Sequence, residues 1–184
     1  DNDFKNTNAS VFIVGSLDFE KGAMDVDFIK EIDKGDTFYA PQFIRGTDNP
    51  VMVGWMEMWD KPYPTKDMGH GWVGAFTIPR ALEYRDGDIF QAPVESLSAY
   101  HYEPENGEVP KCADISFEFF GEGSLTIEGD NGKVIIGNSG EIYLDTRFTN
   151  NSFGSIRRTN GSYSRCAVRV LLDVSSVEVF ADGG

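Results

Sequence analysis

The chain is poor in the residues from which most reactive sites are built. Its 184 residues include only two histidines and two cysteines. Cys112 and Cys166 form no Cys-x-x-Cys pair, which argues against a zinc knuckle or a dithiol redox motif. A single disulfide between them is open, but two reduced, buried thiols are expected. His70 lies between glycines and His101 between tyrosines. Neither has a second ligand at metal-binding spacing, so both are expected to be structural or at the surface. Gly-x-Ser-x-Gly and Gly-x-Gly-x-x-Gly are absent, so nothing points to a nucleophile elbow or a phosphate-cradling turn. Basic residues are scarce as well: 16 Lys and Arg against 30 Asp and Glu give a net charge of −14. A nucleic-acid partner is not expected, because phosphate binding needs a basic surface. The acidity suits a soluble chain with a neutral partner such as a sugar, and equally suits solubility alone. No apolar run nears the ~20 residues of a membrane span, and no basic-then-apolar leader opens the chain. No long segment carries a helical stripe that beats a strand reading.

What is present reads as β-structure. Hydrophobic residues make up 40% and aromatics 13%, enough for a packed core in one ordinary domain or two small ones. Strands are expected at Val11–Val14, Phe28–Ile32, Val51–Trp55, Ala75–Ile78, Ile115–Phe120, Ser124–Glu128, Lys133–Ile136, Glu141–Asp145, Cys166–Asp173 and Ser176–Phe180. Val177-Glu178-Val179 alternates with period two. Gly and Asn punctuate the second half about every ten residues, the rhythm of a sandwich or of propeller blades. Asp130-Asn131-Gly132 marks a hairpin, because these residues tolerate positive φ. The polar, Pro-containing stretch from Ser98 to Cys112 reads as a linker between two β modules. The sequons at Asn8, Asn150 and Asn160 read as coincidental in an Asn-rich chain.

With 30 acidic residues, carboxylates close in sequence are no evidence of a glycosidase pair, which needs a separation of about 5–5.5 Å in space. The aromatic cluster says more. Trp55, Trp59, Tyr63 and Trp72 are interleaved with Glu57, Asp60 and Asp67. Sugar sites combine an aromatic wall with carboxylates, but tryptophans also fill β cores, and both readings stand at this point. Lys61-Pro62-Tyr63-Pro64-Thr65 reads as a loop, where sites are usually built.

Several blocks resemble a known family in order. They are Asp33-Lys34-Gly35-Asp36-Thr37-Phe38-Tyr39-Ala40-Pro41-Gln42; Trp55-Met56-Glu57-Met58-Trp59 followed by Tyr63-Pro64-Thr65; and Gly71-Trp72-Val73-Gly74 through Thr77-Ile78-Pro79-Arg80-Ala81-Leu82. Gln91-Ala92-Pro93-Val94-Glu95-Ser96-Leu97, Leu144-Asp145-Thr146-Arg147 and the run from Leu172 to Phe180 follow. Together they resemble the later part of the β-fructosidases of glycoside hydrolase family 32, and the Trp-Met-x-Met-Trp form is most similar to intracellular bacterial members.

The resemblance implies an all-β fold: the last blades of a five-bladed β-propeller over residues 1–98, a linker over 99–114, and a truncated C-terminal β-sandwich over 115–184. It implies hydrolysis of terminal β-D-fructosyl bonds by the intact enzyme, a small carbohydrate substrate, no metal or organic cofactor, and a cytoplasmic location. The family's Asn-Asp-Pro, Arg-Asp-Pro and Glu-Cys-Pro motifs are absent. They would precede residue 1, so no catalytic residue is expected here and the chain alone is expected to be inactive. Asp36, Tyr39, Trp55 and Trp59 would line or support the fructose pocket. Thr37 stands where many members have Asp, and the adjacent Asp36 is expected to take its place. Arg80 is expected to hold a carboxylate across blades. Ala181 to Gly184 reads as a hairpin turn without its return strand. Open blade edges predict self-association. The alternatives are a non-catalytic carbohydrate-binding module and a structural interaction module.

Overall fold

The computed structural model describes residues 4–182 except 48, 103, 105, 151, 152 and 160, with the backbone alone at 66. Glu103 and Glu105 of the expected linker, Asn160 of the sequons and Gly183-Gly184 of the final turn lie outside the described residues. The described residues form an all-β fold, with four open antiparallel sheets among them. β1 (Val11–Asp18) pairs with β2 (Ala23–Glu31). β3 (Tyr39–Ile44), β4 (Val51–Trp55), β5 (Arg80–Arg85) and β6 (Asp88–Pro93) form a meander in chain order. A short helix, α1 (Pro64–Asp67), and a 3-10 helix (Glu95–Tyr100) are the helical pieces among the described residues.

The remaining strands make two sheets. β8 (Gly123–Gly129), β9 (Gly132–Asn138), β10 (Ile142–Asp145) and β11 (Ile156–Arg158) form one; β7 (Ala113–Phe120), β12 (Arg165–Asp173) and β13 (Ser176–Ala181) form the other, with β12 central. They pack face to face on Phe119, Ile136, Ile142, Cys166, Val168 and Val170. Each such side chain removed from water contributes about 1.5–3 kcal/mol. A smaller core of Ile32, Phe38 and Met52 ties the N-terminal sheets together. His101 and Tyr102 are pinned to β7 through Asp114.

Four strands escape the sequence reading, each for a local reason. β3 contains Pro41, which cannot donate to a ladder, yet the strand is an edge and its register shifts between Tyr39 and Gln42. Ala40 (φ 47°) and Pro41 occupy that irregularity, where proline is tolerated. β5 and β6 turn through Asp86 (φ 51°) and Gly87 (φ 82°). Asp-Gly is the strongest short hairpin signal there is, and it marks these strands once noticed. β11 is too short to show a period. Conversely, Ala75–Ile78 is not a strand: it makes a single bridge, Phe76 to Trp55. It lies between Gly74 at φ 75° and Pro79, which leaves no room for a ladder. The expected hairpin is present, with Gly129 opposite Gly132, and of its turn residues only Gly132 takes positive φ (101°). Both cysteines are free, but the expectation of two buried thiols holds only for Cys166. Cys112 lies ahead of β7 at the surface, its Sγ 3.2 Å from Asp173 Oδ1.

Candidate functional site

Tyr39 opens β3, Trp55 ends β4, and the two face each other across the ladder. Trp59 follows in the next loop and closes the group. Ring centroids are 6.5 Å apart for Tyr39–Trp55, 6.3 Å for Tyr39–Trp59 and 5.6 Å for Trp55–Trp59. All three pairs are tilted or edge-on, the arrangement the ring quadrupoles prefer, at about 0.5–1.5 kcal/mol each. The trio is not core. Trp59 is 68% exposed, and Tyr39 and Trp55 are half-buried. Of the two readings left open by the sequence, core filling does not describe them. Trp72 is also exposed, and its ring lies tilted against His70, the centroids 5.8 Å apart.

The segment from Gly71 to Arg80 explains itself here. Met56 donates its backbone N–H to Ala75 O at 2.7 Å and Thr77 donates to Gly54 O at 2.9 Å. The buried Thr77 hydroxyl accepts from Gly54 N at 2.9 Å. Gly74 has φ 75°, and a Cβ there would lie 2.3 Å from Trp55 Nε1 and 2.9 Å from Glu57 Oε2. A glycine is thus needed both for the turn and for the approach of the indole and the Glu57 carboxylate.

Asp36 sits beside this wall and faces the C-terminal sheets. Its Oδ1 accepts from Arg157 Nε at 2.7 Å and Ser155 Oγ at 2.8 Å, and its Oδ2 accepts from Thr146 Oγ1 at 3.4 Å. Lys61 Nζ reaches its main-chain carbonyl at 2.7 Å. Burial works to raise the Asp36 carboxyl, but the Ser155 hydroxyl and the charges of Arg157 and Lys61 prevail and hold it below its ordinary value. Arg157 Nη2 also donates to Asn6 Oδ1 at 2.9 Å, and Asn6 Nδ2 to Gly35 O at 2.8 Å.

Arg80 makes a second junction. Its Nη2 is 2.6 Å from Glu178 Oε2 and its Nη1 is 2.7 Å from Asp33 Oδ2. Nη1 also donates to Gln91 Oε1 at 3.1 Å, while Glu178 Oε1 accepts from Ile78 N at 2.7 Å. The guanidinium lies 5.2 Å from the rings of both Phe38 and Phe180. Burial opposes its charge, but Asp33 and Glu178 outweigh burial and keep it firmly protonated. Arg80 therefore does hold carboxylates, one of them on β13 rather than on a neighbouring blade. Glu178 escaped the sequence reading although the alternation around it was seen. Val177 and Val179 face the sandwich core, so Glu178 and Phe180 face away from it, and that second face is covered by the N-terminal sheets.

Other reactive groups are quiet. His101 Nδ1 is 3.7 Å from Asp114 Oδ1. Burial pushes the Cys166 thiol up to about 12. Among the described residues no group of three His, Cys, Asp or Glu is placed to hold a metal ion, and no helix is long and apolar enough to cross a membrane.

Comparison with known proteins agrees in both halves. The sequence model of the glycosyl hydrolases family 32 N-terminal domain matches residues 1–93. Sucrose-6-phosphate hydrolase of Salmonella typhimurium is 30% identical over 98% of this chain and 40% of its own length. The Klebsiella pneumoniae protein of that name is 29% identical over the same shares. In three dimensions the chain is similar to sucrose-6-phosphate hydrolase from Lactobacillus gasseri, with a TM-score of 0.85 at 19% identity over 98% of this chain and 42% of that one. A family 32 β-fructofuranosidase of Bombyx mori gives 0.77 at 24% identity over 100% and 42%. The chain thus spans about two fifths of the length of the curated relatives it matches. With the family's model covering half of it and its aromatic trio set among the family's sequence blocks, the chain belongs to glycosyl hydrolase family 32.

Proposed function

We propose that this chain is part of a β-fructosidase whose intact form hydrolyses terminal β-D-fructosyl bonds, in sucrose, sucrose 6-phosphate or fructo-oligosaccharides. The chemistry on this reading is a retaining double displacement. A carboxylate attacks the anomeric carbon while a carboxylic acid protonates the leaving oxygen; water, deprotonated by that same group, then releases fructose. Neither carboxylate is assigned to this chain. Residues 1–98 are read as the last blades of a five-bladed propeller, 99–114 as a linker and 115–184 as a truncated sandwich. The β3–β6 meander supports this, since a propeller blade is a four-stranded antiparallel sheet.

The observation that carries the reading is the Tyr39, Trp55 and Trp59 wall, with Trp59 open to solvent and the other two rings half-buried, and with Glu57 at its edge. A fructosyl ring presents an apolar face to such a wall and hydroxyls to neighbouring carboxylates. Asp36 supports the wall from behind. Titrating the chain with sucrose should change tryptophan emission saturably, Trp59→Ala should remove the change, and no glucose should appear. Emission indifferent to sucrose would sink the sugar site. Steady glucose release, abolished by replacing one acid of this chain, would overturn the assignment of the catalytic carboxylates elsewhere.

One observation favours an interaction role beside this. Register puts Ile13 opposite Ile29 and Leu17 opposite Met24 on one face of β1–β2, with Val26 between them. These side chains are 40–53% exposed. An apolar sheet face of this kind invites a partner, so self-association is proposed, resisted by the −14 net charge. Sedimentation should show oligomers that grow with added salt, as screening weakens the repulsion. A monomer at every salt and protein concentration would rule this out.

A further inference from the structure

We infer that the C-terminal sheets position the aromatic wall: Arg157 and Ser155, acting through Asp36 and Lys61, fix where Tyr39 and Trp59 stand and so how firmly a sugar is held. This rests on the wall being the sugar site. Asp36 lies three residues before Tyr39, and between them Phe38 is only 2% exposed. A Cβ on Gly54 would fall 2.3 Å from the Phe38 ring, so the Asp36–Tyr39 segment has almost no freedom to shift within the N-terminal sheets. Lys61 lies two residues after Trp59. Its ammonium is anchored on the Asp36 carbonyl at 2.7 Å and approaches Oδ1 at 3.4 Å.

The same loop touches the C-terminal sheets directly. Tyr63 packs edge-on against Phe153 at 5.0 Å, and Lys61 Nζ lies 5.4 Å above that ring. Between Trp59 and β4 the buried Met58 pins the loop from the inside. Segments on both sides of the wall therefore converge on one carboxylate, and that carboxylate takes its 2.7 Å and 2.8 Å hydrogen bonds from β11 and the residue before it. The side chains of Arg157 and Asp36 are only 13% and 12% exposed. Without Arg157, a nearly buried carboxylate is left to Lys61 as its nearest cation, which draws Lys61 inward and carries Trp59 with it. Arg157 and Ser155 are positioning residues on this account, since their side-chain hydrogen bonds run to Asp36, Asn6 and one another and not to the wall.

Circular dichroism reads the placement without any sugar. Two indoles 5.6 Å apart and inclined at 73° couple as excitons and give a couplet. Trp59→Phe removes it, which assigns the signal. Arg157→Leu should lose most of the couplet, and sucrose binding should weaken by about tenfold, within what an ångström of misplacement costs. Ser155→Ala should show a smaller change of the same sign, and it serves if Arg157→Leu does not fold. Arg157→Lys keeps the charge and should recover part of the couplet. Arg169→Leu breaks a pair of similar length, 2.6 Å to Asp114, and should lower stability while sparing the couplet. An unchanged couplet in folded Arg157→Leu and Ser155→Ala overturns the inference, and so does an equal loss in Arg169→Leu. A couplet that depends on Arg157 in a chain blind to sucrose supports the positioning and removes the sugar reading instead.

Discussion

Glu178→Ala should destabilise the chain by about 3–5 kcal/mol, the cost of stripping one partner from a buried ion pair. Glu178 and Arg80 are 6% and 4% exposed, so water cannot replace what is removed. The loss has two parts. Arg80 keeps Asp33 but loses its bonds from Nε and Nη2. The Ile78 N–H, in a part-buried place, loses its acceptor, and an orphaned donor costs up to about 1–3 kcal/mol where water is kept from it. Against a usual total of about 5–15 kcal/mol, this is a large fraction. Denaturant unfolding followed by far-ultraviolet dichroism measures it. Glu178→Gln, which keeps the side chain's shape and one acceptor oxygen, for either Arg80 or the Ile78 N–H, should cost less. The double variant Arg80→Met/Glu178→Leu should recover part of the loss, because the one charge it strips of its partner, Asp33, has a side chain 19% exposed and so within reach of water. A change below about 1 kcal/mol for Glu178→Ala would mean that the Arg80 junction contributes little.

Gly74→Ala should cost about 2–5 kcal/mol, the sum of about 1–2 for a side chain at positive φ and about 1–3 for overpacking. It should also shift tryptophan emission. The new methyl would have to displace Trp55 Nε1, 2.3 Å away, or the Glu57 carboxylate. Gly71→Ala is the matched control. Gly71 has nearly the same φ, 77°, but nothing lies within 4 Å of its Cβ position, so it should pay the backbone cost alone and leave emission unchanged. Equal effects at the two glycines would show that conformation, and not close approach, makes Gly74 necessary.

These two residues also separate what could be read from the sequence from what could not. The all-β class was legible because Val, Ile and Phe alternate in short runs between Gly and Asn, and that periodicity is local. β8, β9, β12 and β13 were visible for this reason. β3 was hidden by a proline that an edge irregularity absorbs, and β5–β6 lay behind an Asp-Gly turn that was there to be read. The aromatic residues of the site were legible by type and spacing, but whether they filled the core was not, because exposure depends on what packs above them.

The sequence by itself determined most of the strands, the turn glycines and the family blocks, since each is a property of a few adjacent residues. Only the tertiary structure decided that Trp59 is open, that Asp36 is held by Arg157 from 121 positions away, and that Glu178 lies on the covered face of β13. A strand's alternation assigns side chains to two faces, but it does not say what covers either one. Arg157 and Ser155, which hold Asp36, and Glu178, which holds Arg80, lie in the opposite half of the chain, and ion pairs over such separations leave no periodic trace. Folding brings those charges together where water is scarce, and there a single carboxylate can fix the position of everything attached to it.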